Sequence, residues 1–177
     1  MNEQLPAFVL AELFSNSLVY TGENIQAEIY KRELSKNENG PAKNKKKYFG
    51  NYEKKIVVLV NDEENIHLDD ESLQFLSGIL NACKLNLAHI ALINFHKNKV
   101  EFNQLKKDMQ PVFLILFGLN TLQIELPFAM PDYKVQFFDN CKILIAPSLT
   151  ELNKNGEQAK AEKTKLWKSL KNMFDIE

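Results

Sequence analysis

A chain of 177 residues, 45% hydrophobic and 25% charged, is long enough for a domain with a buried core and has the balance of an ordinary soluble globular protein. Its net charge of -1 leaves no global basic field to draw in nucleic acid or an anionic membrane. The apolar run at 111–119 is about half a membrane span, and acids at Glu3 and Glu12 replace the basic start of a leader peptide, so a cytoplasmic protein without transmembrane helix or signal peptide is expected.

In chain order, residues 1–34 come first as an apolar segment. Leu5, Phe8, Val9, Leu13 and Phe14 recur at helix-like spacing, with Pro6 acceptable in a first turn. Such a segment can pack on its own domain or dock on another protein. Residues 31–55 then carry nine Lys/Arg against three Glu. Within them SKNENGPAKNKKK has almost no apolar side chain, and Gly40-Pro41 breaks any periodicity. Residues 35–47 read as a flexible solvated loop, and the basic linker as a whole as 35–53. The lysines at 43–55 have aromatic neighbours only in Tyr48, Phe49 and Tyr52, so at most weak nucleic-acid contact is expected there.

From residue 54 the pattern becomes α/β, and 54–177 is read as one domain. KKIVVLVND is a continuous β-branched run ended by Asn-Asp, the signature of a strand buried on both faces. Asp69, Asp70 and Glu71 place acids at a helix start, and Leu73, Leu76, Ile79, Leu80 and Cys83 form the apolar stripe behind it. AHIALINF gives a second strand, 100–109 a short helix stopped before Pro111, and PVFLILFGL a third strand. TLQIELPF and YKVQFF read as an extended excursion, and KILIAP as the last core strand. Residues 156–174 form a long helix with Leu166, Trp167, Leu170, Met173 and Phe174 on one face, Trp167 being read as a core anchor. This alternation predicts a three-layer α/β domain with about four mostly parallel strands between helices.

Ligand sites in such sheets lie beyond the carboxyl ends of the strands. Those ends are Asn61-Asp62, Asn94 to His96, Gly118 to Asn120, and Ala146-Pro147-Ser148. The candidates for a strand-edge cleft are Asn61, Asp62 and Ser148. Asp62 could activate a water or help bind a cation. However, Asp69 to Glu71 are explained by the helix start, and Glu63 to Asn65 read as exposed loop. Ser148 lacks the G-x-S-x-G setting of a hydrolase nucleophile, and with Glu151 it reads as an S-x-x-E helix cap. No dinucleotide or phosphate-loop glycine motif is present. His96 beside two lysines reads as a surface residue. His67, His89, Cys83 and Cys141 have no metal-ligand spacing, so no metal or cofactor is expected and both thiols read as reduced and buried.

The C-terminal stretch IAPSLTELNKNGEQAKAEKTKLWKSLKNMF resembles the end of the psi subunit of bacterial DNA polymerase III. A small-Pro-Ser turn (Ala146 to Ser148), a Leu-Thr-acid-Leu step (Leu149 to Leu152), an Asn-containing linker (Asn153 to Asn155) and a Leu-Trp pair (Leu166-Trp167) follow in order. IVVLVND is similar to that family's first strand, and together the motifs cover about 40 residues. The resemblance implies a uracil-DNA glycosylase-like fold without its catalysis. It also implies a bridging role: an N-terminal peptide docked on the clamp loader, and a body bound to a chi subunit that contacts single-stranded-DNA-binding protein. Leu5, Phe8, Val9, Leu13 and Phe14 would be the docking residues. The chain departs from glycosylases at two loops. Val60-Asn61-Asp62-Glu63 lacks the Gly and Pro of their water-activating loop, and Ala146 stands where their last-strand histidine would be. The expected function is therefore a non-catalytic replication accessory protein. The alternative is a glycosylase-superfamily or other small α/β enzyme acting on nucleic acid at the strand edge.

Overall fold

The continuous apolar runs form the middle of a five-stranded sheet. The computed structural model of the chain describes residues 47–176. The strands are β1 (Ile56–Val60), β2 (Ile90–Asn94), β3 (Phe113–Phe117), β4 (Val135–Phe138) and β5 (Cys141–Ala146), in the order β2-β1-β3-β5-β4. All neighbours are parallel except β4, which pairs antiparallel with β5. Four α-helices accompany them among the described residues: α1 (Asp70–Ala82), α2 (Phe102–Asp108), α3 (Leu149–Leu152) and α4 (Glu157–Phe174). The α/β class and flanking helices are as the sequence predicts.

Both faces of the sheet are covered, which is why its parallel strands are apolar at every position rather than at alternate ones. Ile56, Val58 and Val60 of β1 share a cluster with Leu76 and Leu80 of α1, Leu149 of α3, and Leu166, Leu170 and Met173 of α4. Val57 and Leu59 point the other way and share a cluster with Phe102 and Leu105 of α2 and with Ile124 and Leu126. Cys83 and Cys141 are free and buried on opposite sides, and burial pushes their thiols up to about 11 and about 12. No helix among the described residues is long and apolar enough to cross a membrane.

The structure departs from the sequence reading in several places. The sheet has five strands rather than about four, because VQFF folds back on β5 through the two-residue turn Asp139-Asn140. Both turn residues have positive φ, 45° and 55°, the backbone that twists a tight hairpin correctly and that Asp and Asn tolerate. TLQIELPF is not extended: Thr121–Ile124 is a 3-10 turn closed by reciprocal Asn120 and Gln123 caps. Trp167 is 36% exposed and does not anchor α4. At about 100° per residue, the core face centred on Leu166, Leu170 and Met173 leaves Trp167 on the flank.

Residues 48–54, the end of the expected basic linker, lie along the free edge of β2. Phe49 exchanges backbone bonds with Leu92 (2.9 and 2.8 Å), and the Tyr52 and Lys54 N–H groups donate to Ile90 and His89 at 3.1 Å. Gly50 is required at φ +106°, since a Cβ there would stand 2.3 Å from the Ile90 oxygen. The expected boundary at 53/54 thus falls inside a segment that covers an exposed strand edge. Leu5, Phe8, Val9, Leu13 and Phe14, and the lysines at 43, 45 and 46, lie outside the described residues.

Candidate functional site

The parallel strands end on one side of the sheet, and β1 sits where the chain turns from building toward β2 to building toward β3 and β5. That reversal opens a crevice between the loops after β1 and β3, the usual place for a ligand in an open α/β sheet. A cleft of about 340 Å³ lies there, lined by the loop after β1, by Phe117 at the end of β3, and by Ser148 to Thr150 after β5. The structure brings the three sequence candidates together: Asn61, Asp62 and Ser148 all line this cleft.

The loop is shaped by a residue that the sequence reading did not single out. Asn94, the last residue of β2, is completely buried. Its Oδ1 accepts from the Asp62 and His96 N–H groups at 3.1 and 3.0 Å, and its Nδ2 donates to the Asp62 and Asn65 carbonyls at 2.8 and 2.9 Å. A buried amide with four partners fixes the path of the chain leaving β1. The only signal in the sequence is a polar residue ending an apolar strand, which equally marks a turn.

Asp62 then folds its own loop. One carboxylate oxygen accepts from the Glu64 and Asn65 backbone N–H groups, both at 2.9 Å, and from the Asn65 side chain at 3.2 Å. The other accepts from the Asn65 side chain at 3.0 Å. Partial burial would raise its pKa, but the hydrogen bonds from Asn65 and Glu64 outweigh it and hold the carboxyl below its ordinary value. A carboxylate so engaged is a weaker base, with three bonds on one oxygen and one on the other.

Ser148 is engaged in the same way. Its Oγ accepts from the Glu151 N–H at 3.2 Å and caps α3, giving the serine half of the S-x-x-E pattern. It fits against β3 because Gly118, at φ +66°, carries no Cβ; one placed there would stand 3.0 Å from the Ser148 Cβ. Ala146 is buried and pairs with Phe117 inside the sheet. Asp69 caps α1 and is held below its ordinary pKa by hydrogen bonds from Ser72.

The charge of the cleft follows from these loops. Asp62, Glu63, Glu64 and Asp69 line it, with no Lys, Arg or His among the described lining residues. Lys97 is not among these lining residues, and its Nζ donates to the Glu63 carbonyl. His96 is exposed and takes part through its backbone alone. Among the described residues no group of three or more His, Cys, Asp or Glu is placed to hold a metal. The arrangement is a polar, acidic strand edge whose hydrogen-bonding groups mostly serve the chain itself.

No protein-family model matches this sequence, and no curated protein matches it significantly.

Proposed function

We propose that the chain is a non-catalytic accessory protein of DNA replication, resembling the psi subunit of DNA polymerase III and built on a glycosylase-like scaffold. It would bridge the clamp loader to a second protein in the manner of chi. Its N-terminal segment, through Leu5, Phe8, Val9, Leu13 and Phe14, would make the clamp-loader contact by peptide-in-groove recognition. The observation that carries this reading is the state of the strand-edge cleft. Asp62 is held by its own loop and Ser148 caps α3, while under the resemblance Ala146 would stand where glycosylases carry a histidine. A cleft with four carboxylates and no lining cation among the described residues is also poorly suited to a phosphate backbone or to the departing base anion.

Co-purification with clamp-loader subunits tests it. The full chain should retain them, and a form lacking residues 1–20 should not; no binding by the full chain sinks the reading. One observation favours the alternative of an enzyme on nucleic acid: the cleft lies at the reversal of strand order, with Asp62 in its wall. Release of uracil or another base from single-stranded DNA, abolished by Asp62→Asn, would establish it.

A further inference from the structure

A second groove lies in the helical layer, and its lining mixes apolar side chains with Gln74, Asn153 and Asn155. It lies between α1 and α4 and encloses about 790 Å³. Phe75, Gly78, Ile79 and Ala82 of α1 face Trp167 and Leu170 of α4. Two features stand out. Trp167 is large, apolar and 36% exposed, on a helix whose neighbouring Leu166 and Leu170 are fully buried. Gly78 sits in the middle of α1, where glycine costs about 1 kcal/mol against alanine. A Cβ at Gly78 would meet nothing within 4 Å, so no contact among the described residues calls for a glycine there.

The rim adds a sign of charge. Lys160, Lys163 and Lys171 lie seven and four residues before Trp167 and four after it, which puts them on its strip of α4. The Lys163 Nζ lies 5.2 Å from the centre of the Phe75 ring, across the groove. Lys165 turns away and pairs with Glu162 at 2.8 Å. The α1 wall contributes a single acid, Glu71, at its N-terminal end.

From this we infer that the α1–α4 groove is a docking site for an amphipathic helix of a partner protein. That helix would present an apolar stripe to Trp167, Phe75 and Ile79, and Asp or Glu along the flank that meets the α4 lysines. Helix-in-groove recognition needs a concave apolar floor with small residues for close approach, and an aromatic anchor at the centre of such contacts contributes most of the affinity. A second copy fits poorly, since α4 is itself basic and the acids of α1 are confined to its first turn. A nucleic-acid strand would meet Glu71 and a single lining cation, Lys163, too little positive charge to hold a phosphate backbone along the groove. The inference rests on the folded unit alone. The replication reading can fail at the N-terminal segment while this groove stands, and the reverse holds too.

Trp167 is the chain's only tryptophan, so its emission reports directly on the groove. Selection of a displayed library of helical peptides on the full chain, with a selected peptide then titrated against Trp167 emission, is the test. Enriched peptides are expected to carry apolar residues at i, i+3 or i+4, and i+7 with acids on one flank, and to shift Trp167 emission to the blue. Binding should weaken about tenfold or more in Gly78→Leu, which fills the floor, and in the Lys163→Glu, Lys171→Glu double variant. Gly78→Leu improves helix propensity in open space, so an unfolding midpoint at or above wild type separates a blocked groove from a damaged fold. No enrichment, or peptides indifferent to Gly78→Leu, overturns the proposal. So does quenching of Trp167 by a short single-stranded oligonucleotide, or a Trp167 shift that tracks self-association. A red shift of Trp167 in a Phe8→Asp, Leu13→Asp variant would assign the groove to the chain's own N-terminal segment, against a partner.

Discussion

The strand-edge cleft and the α1–α4 groove are two concavities of one folded unit, and they differ in what their side chains already do. In the cleft, polar groups that could act on a ligand are paired within the chain: Asp62 with Glu64 and Asn65, Ser148 with Glu151, Asn94 with three residues. In the groove, apolar groups that could fill a core stay partly open: Trp167 is 36% exposed, and a Cβ at Gly78 would meet no neighbour. Polar groups at the usual place in the fold thus serve the loops around them, while a helix flank leaves part of its apolar surface open. Position in a fold suggests where to look, and the partners of each group decide what it is free to do.

The contrast can be broken at its strongest point first. Asn94→Ala removes four hydrogen bonds at a fully buried site and leaves the Asp62 and His96 N–H groups without their acceptor. Uncompensated buried groups cost about 1–3 kcal/mol each, so a loss of about 3 kcal/mol is expected in urea denaturation. A loss below about 1 kcal/mol would mean the loop after β1 is not held by Asn94 and that Asp62 is freer than its contacts imply.

Gly118→Ala comes next. The variant must hold a side chain at φ +66° while its Cβ meets Ser148. A strained backbone of this kind costs about 1–3 kcal/mol, so a drop of about 2 kcal/mol is expected, again from denaturant midpoints. An unchanged midpoint would show that the β3 and β5 loops separate easily, and the cleft would then be adaptable rather than fixed.

Acid sharpens the role of Asp62. Its pKa and that of Asp69 are lowered in the folded state, so each adds stability at neutral pH. That stability is present above the ordinary carboxylate value of about 4 and is lost as pH falls through the lowered folded values. The wild-type midpoint should therefore fall on acidification, and Asp62→Ala should show a shallower fall. Equal slopes would mean that the loop bonds to Asp62 do not favour its charged form.

The smallest effect lies in the groove. Gly78→Ala should raise stability by about 0.5–1 kcal/mol, because the site is helical and open. A destabilising result would reveal a contact at Gly78 that the folded unit needs, and the groove would lose its standing as an unused surface.

Much of this was legible in the sequence, though unevenly. Asp69 as the start of α1 and Ser148 as the start of α3 could be read directly, since a cap acts within three residues of its own position. Asn61, Asp62 and Ser148 could be placed at one strand edge because parallel strands all end on the same side. That Asp62 is occupied could not be read, because its partners depend on the path that Asn94 imposes from a strand 32 residues away. Trp167 was misassigned for a similar reason. An apolar stripe wide enough to include it is visible in α4, but which edge of the stripe meets the sheet depends on how α1 packs beside it.

The sequence by itself determined the α/β class, the apolar strands and the starts of the helices, because those follow from periodicity and from hydrogen bonds a few residues apart. The tertiary structure alone decided that VQFF becomes a fifth, antiparallel strand, that Asn94 clamps the loop of Asp62, and that Trp167 and Gly78 border an open groove. Each of these depends on a partner distant in the chain, and the free energy of a contact belongs to both sides of it.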